Sequence, residues 1–166
     1  MGSNTYYKVA ADNRKARFDY EIIEVYKAGL VLTGNEVKSL RNGKINLQDS
    51  FGRVDRGELT LYNVHISPYS SADQRNVDPI RPRKVLLHKH ELMKLVGKVA
   101  EKGLTVVPLK VYFEGNWAKV DLALARAKKK YEKRDTIRRK SAEREIERAF
   151  KGKTSDRQSK TKNLHS

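Results

Sequence analysis

Apolar and polar positions along this chain fall into short runs with a period of two, interrupted by three runs of helical period. Residues 20–36, YEIIEVYKAGLVLTGNE, are β-branched and aromatic and are split by Ala28-Gly29. This reads as two strands joined by a tight turn, the second ending at Gly34. In NEVKSLRNG, Asn35 can cap a helix, Val37 and Leu40 share a face, Lys38 and Arg41 sit toward the negative end, and Gly43 can take the left-handed stop. Residues 46–66 predict a hairpin turning at Asp55–Gly57. Residues 67–84 hold three prolines and little apolar content, which predicts a long surface loop. Leu92, Leu95, Val96 and Val99 recur at i, i+3, i+4 and i+7 and predict a helix stopped by Gly103. Residues 104–125 predict a second hairpin turning at Glu114–Asn116. Near the start, NRKARFDY suits one short helix with Ala16 and Tyr20 on one side.

These elements predict a mainly β body of about six strands, with one helix between strands two and three and a longer one before the last hairpin. No internal repeat is present. Strands closing on themselves with a helix before the final pair fit a small Greek-key barrel of the oligonucleotide-binding type, and an open α+β sheet is the alternative. The expected organisation is a flexible arm at 1–12, a barrel domain at 13–126 and a basic tail at 127–166. The N-terminus lacks an apolar signal core and no run of about 18 apolar residues occurs. With no cysteine in the chain, a cytoplasmic protein is expected, without disulfides or thiolate metal sites.

Charge changes the picture. The 36 Lys and Arg outweigh 20 Asp and Glu, a net +16. Of that excess, +10 falls within residues 126–166. Small domains need only about 2–8 units for solubility, so a surplus this size points to a polyanionic partner. From Lys128 to Lys140 eight cations meet two acids, with Tyr131 inside the cluster. Cations for phosphates and an aromatic ring for a base suit RNA. A membrane helix needs bulky apolar residues opposite the cations, and Ile137, Ala142, Ile146 and Phe150 are too sparse for that. The same sparseness predicts a tail that is disordered alone and becomes helical on a partner.

Catalytic chemistry finds little support. In HKHELMK, Lys94 stands where a zinc-protease helix needs its second histidine. His88 and His90, two apart, are expected to diverge. The acids Asp49, Asp55, Glu58, Glu114 and Asp121 are scattered, mostly at turns, so no metal site and no cofactor are expected. Trp117, at a hairpin turn, is expected to pack on the barrel, and Glu36 and Lys38 to begin a helix that plugs one barrel end.

The strings NRKARFDY, AGLVLTGNEVKSLRNGK, DSF, RKVLLHKHELMKLVGKV, GLTVVPLKVYF and AKKKYEKR occur in this order between Asn13 and Arg134, and the resemblance they carry covers about Asn13 to Phe150. Together they resemble the SsrA-binding protein (small protein B) family. The resemblance implies a non-enzymatic bacterial cytoplasmic factor with an oligonucleotide-binding-type barrel. Its implied partners are the tRNA-like domain of transfer-messenger RNA (tmRNA), bound as a 1:1 complex, and the stalled ribosome, in trans-translation. It places tmRNA contacts at Asn13, Arg14, Lys27, Lys38, Leu86 and Lys119. It places the tail residues Lys128, Lys129, Tyr131, Lys133 and Arg134 at the decoding centre and in the empty mRNA channel. Two positions depart from the family's pattern. Lys27 stands where a glutamate is usual, and Ala127 where a glycine precedes the paired lysines. The alternative is a general ribosome-associated RNA-binding protein without tmRNA specificity.

Overall fold

The computed structural model describes residues 7–69, 77–100 and 103–162, with side chains as far as residue 151. Part of the predicted long loop therefore lies outside the described residues. The chain divides into two compact units, Met1–Ala127 and Lys128–Ser166.

In the first unit the elements run β1 (Tyr7–Asp12), α1 (Arg14–Asp19), β2 (Tyr20–Leu30), α2 (Gly34–Arg41), β3 (Ile45–Asn46), β4 (Phe51–Asp55) and β5 (Glu58–Tyr62). β6 (His65–Ile66), β7 (Arg83–Leu86), α3 (Lys89–Val99), β8 (Leu104–Glu114) and β9 (Trp117–Ala127) follow. Strands β8, β4, β5, β7, β2 and β9 pair in that order, and β9 pairs again with β8, so six antiparallel strands close a ring. β1 adds to β8, and β3 pairs with β6 in a small separate sheet. A closed ring leaves few strand edges open. The body is mainly β, as the alternation of residue types predicts.

Closure between β4 and β8 runs through one registered pair, Gly52 and Val106. A Cβ on Gly52 would stand 2.9 Å from Val106 Cγ1, so glycine here permits the approach that shuts the barrel. Inside lie Leu59, Leu61, Phe113, Val120, Leu122 and Leu124, with Leu40 of α2 and Leu95 of α3 buried among them. β8 and β9 bury both faces. A second cluster, Val107, Leu109, Ala123 and Ala125, lies under Ala16 of α1 and Tyr20.

Three expectations are corrected. Residues Tyr20–Leu30 form one strand, not two strands around a turn at Ala28-Gly29. Gly29 is extended and registers with Leu86 on one side and Lys119 on the other. A Cβ there would lie 3.4 Å from Leu86 Cβ, so this glycine serves a close approach rather than a bend. Tyr7–Asp12, expected to belong to a loose arm, form β1, because β8 offers them a free edge. The cap of α2 is Thr33, not Asn35. The Thr33 side chain accepts from Glu36 N at 3.3 Å and Glu36 Oε1 accepts from Thr33 N at 3.0 Å, a reciprocal capping box. The tail, expected to become helical on a partner, carries the helix α4 (Lys130–Lys162). Its exposed residues are mostly good helix formers, and Glu132 in the first turn complements the helix dipole.

A buried ion network holds the barrel end under α2. Arg83 of β7 is 1% exposed. Its guanidinium donates to Glu36 Oε2, to the carbonyl of Val64 and, at 3.0 Å, to that of Pro79. Arg81 donates to the other Glu36 oxygen. Burial opposes the Glu36 charge, but the Thr33 amide and both guanidiniums win and hold its carboxyl below the usual range. Burial pulls Arg83 down, with Glu36 opposing. One residue of β7 thus ties together α2, the end of the long loop and the link between β5 and β6. The expectation that Glu36 is structural holds in these contacts.

Candidate nucleic-acid interface

Strand register gathers one set of side chains at a single groove of about 630 Å³. Lys27 points outward from β2, between the inward-facing Tyr26 and Ala28. Lys119 of β9 sits opposite Gly29 of β2, and Leu86 of β7 sits opposite Gly29 on the other side. With no side chain at Gly29, Lys119 and Leu86 flank a shallow floor. Trp117, Val31 and His88 complete the working lining. Trp117 is 74% exposed and Leu86 54%.

Trp117 corrects the expectation that it packs on the barrel. It is the first residue of β9, just beyond a turn in which Gly115 takes φ +60. The hairpin tip extends past the core, whose first member on this strand is Val120. An indole left in solvent costs hydrophobic free energy unless a partner covers it.

The other expected contact residues do not line this groove. Asn13 is buried and its side chain is fully engaged. Its Oδ1 accepts from Ala16 N at 3.1 Å, capping α1, and its Nδ2 donates to the carbonyls of Leu47 (3.1 Å) and Pro108 (3.0 Å). It positions α1 on β8 and leaves neighbouring Arg14 exposed at the helix start. Lys38 is exposed on α2, with its ammonium 5.4 Å from the Tyr69 ring centre.

Opposite α3, Glu24 accepts from Tyr26 Oη at 2.9 Å and from Lys98, and lies 3.4 Å from Lys94 Nζ. The Lys98 bond first, then the Tyr26 bond, bring the Glu24 carboxyl down to about 2. Burial, then Glu24, pushes Tyr26 up to about 12. These bonds fasten α3 to β2. His88 and His90 stack with ring centres 5.8 Å apart instead of diverging, because His88 is the N-cap in extended backbone and lies outside the helical spiral. Among the described residues no group of three or more His, Asp or Glu is placed to hold a metal ion.

In the second unit, Lys128 and Lys129 precede α4. Lys128 Nζ donates to Thr136 Oγ1 at 3.2 Å, and Lys129 N donates to Glu132 Oε2 at 3.3 Å, which closes the first turn. Tyr131 is exposed and its hydroxyl donates to Glu132 Oε1 at 3.3 Å. Arg134 is exposed and Lys133 partly so. Ile137, Ile146 and Phe150 are all exposed. No described helix is long and apolar enough to cross a membrane.

A closed barrel bearing an aromatic and apolar groove rimmed by cations, together with a separate cationic helix, is the make-up of an RNA-binding protein. The sequence profile described as SmpB protein matches residues 10–152. The chain is 56% identical to the SsrA-binding protein of Carboxydothermus hydrogenoformans over 88% of its own length and 98% of that protein's. It is 58% identical to the SsrA-binding protein of Desulforudis audaxviator over 88% and 95%. A solved structure described as "tmRNA-SmpB: a journey to the center of the bacterial ribosome" superposes with a TM-score of 0.62 at 58% identity, over 74% of this chain and 85% of the other. This chain belongs to the SmpB, or SsrA-binding protein, family.

Proposed function

We propose that this protein binds the tRNA-like domain of tmRNA as a monomer in a 1:1 complex and delivers it to stalled ribosomes for trans-translation. It acts in the bacterial cytoplasm without catalysis, cofactor or metal. The observation that carries this reading is the groove, which joins Lys27, Leu86 and Lys119 with the exposed Trp117. Apolar surface and an indole suit unstacked bases, while the ammonium groups take backbone phosphates. Lys38 and Arg14 add cations at other places on the body, and Asn13 acts by positioning α1. The tail's Lys128, Lys129, Tyr131, Lys133 and Arg134 meet ribosomal RNA at the decoding centre and in a vacant mRNA channel. The family membership and the solved tmRNA complex of a relative support the reading.

Filter binding of the tRNA-like domain across a salt series tests it. The expected result is tight binding at low salt that weakens linearly on logarithmic axes, and that bulk tRNA in excess fails to compete away. Equal competition by bulk tRNA would instead identify a general ribosome-associated RNA-binding protein.

A further inference from the structure

The groove holds one titratable side chain that the function above leaves unused. His88 lies on its wall, together with Lys27 of β2 and Lys119 of β9. The residue is exposed. As the N-cap of α3 it sits in extended backbone, yet its side chain makes no capping hydrogen bond, so the imidazole nitrogens are not spent on the helix. The ring stacks instead on that of His90, at an interplanar angle of 15°, and His90 itself lies outside the groove lining. The charged neighbours are few. No acid lines the groove, whose charged members are Lys27 and Lys119. On α3, Lys89 and His90 are exposed, and the charge of Glu91 acts on Tyr26 of β2. β7 brings the apolar Leu86 and Leu87 to the groove, while its Lys84 is paired with Glu58.

Histidine is the side chain that changes charge between about pH 5 and 8. Beside two ammonium groups and no carboxylate, an imidazolium in this groove has no counter-charge of the protein's own. A phosphate drawn to Lys27 and Lys119 supplies one, and an imidazolium N–H can donate to a phosphate oxygen. RNA binding and proton uptake at the ring then favour one another, as linkage requires. We propose that His88 is a phosphate-binding residue of the groove that takes up a proton as RNA binds, so that the grip on RNA tightens as pH falls. The inference rests on the RNA-binding reading above.

With the tRNA-like domain as probe at fixed salt, wild-type affinity should rise about fivefold or more from pH 8 to pH 6, within the limit of about tenfold per pH unit that uptake of one proton sets. Salt titrations should be steeper at pH 6 than at pH 8 by somewhat under one unit on logarithmic axes, the mark of one more phosphate contact. His88→Gln should bind alike at both pH values. His88→Lys, charged throughout, should bind at pH 8 about as tightly as the wild type does at pH 6. His90→Gln, a change outside the groove lining, should keep the pH response. These variants should melt close to the wild type, because both positions are exposed. Wild-type affinity that ignores pH overturns the proposal, and so does a response that survives in His88→Gln or disappears in His90→Gln. Tight binding at both pH values without a response removes this inference alone. A wild type that fails to bind the tRNA-like domain at either pH removes the broader function and this inference with it.

Discussion

Leu122 through Ala125 of β9 expose no side chain, whereas every residue from Ile137 to Phe150 of α4 is exposed. The body owes its shape to burial. Its strands hold their register because a one-residue slip would turn the inner set Val120, Leu122 and Leu124 outward. The helix that follows buries almost nothing and is held by propensity, a capped first turn and ion pairs such as Lys151 with Glu147 at 3.3 Å. Damage to the body should therefore appear as lost stability, and damage to the helix as lost function in a protein that still folds.

The largest effect tests that division directly. Ending the chain at Ala127 should abolish tagging of stalled nascent chains in a reconstituted translation system, while affinity for the tRNA-like domain stays within about threefold. A truncated body that had lost tmRNA binding would merge the two regions functionally and break the comparison. Charge reversal at Lys128 and Lys129 should reproduce the tagging defect with the full chain present.

Next in size is the ion network under α2. Arg83→Met removes the cation from a carboxylate that is itself buried, and leaving one buried charge alone costs about 3–5 kcal/mol. Thermal melts should fall by ten degrees or more. The double variant Glu36→Gln, Arg83→Met should recover part of that loss, because no lone charge remains. An equal number of removed charges in α4, at Arg138 and Arg139, should leave the melting temperature nearly unchanged.

Trp117→Ala ranks third and shows where the body does carry function. The ring is exposed, so stability should move by less than about 0.5 kcal/mol. RNA affinity should fall by about 5- to 150-fold, since stacking on a base contributes roughly 1–3 kcal/mol. Direct binding at fixed salt measures it. A large drop in melting temperature instead would return Trp117 to the packing role its turn position first suggested.

The contrast also explains what could be read from the residues alone. Both hairpins, α2 and α3 were legible because their periodicity and stop signals are local, with Gly43 and Gly57 both at positive φ where a turn was expected. Lys27, Leu86 and Lys119 were singled out by resemblance, and only strand register brings them to one groove. Gly29 misled because a glycine that admits a neighbouring strand looks the same in sequence as one that makes a turn. Arg83 was missed because an arginine in a proline-rich stretch reads as solvated, and its burial depends on Glu36, 47 positions away. A basic side chain within the β run RKVL, where a core strand was otherwise plausible, was the signal available.

The smallest expected effect sharpens the comparison at the body's surface, where its charges are most like those of the tail. Glu24 has its carboxyl lowered from 4.5 to about 2 by Lys98, Tyr26 and Lys94. A lowered folded-state value means that the unfolded chain takes up its proton first as pH falls. The contribution of Glu24 is thus complete above about pH 4.5 and disappears as pH drops toward 2. Glu24→Gln should lower the melting temperature slightly at pH 7, a loss kept small by solvent screening, and flatten its fall across that window so that the two proteins converge toward pH 2. Glu143→Gln in α4 should not alter that acid limb. If the two substitutions behaved alike, the bonds joining Glu24 to α3 would count for no more than a solvated charge on the tail.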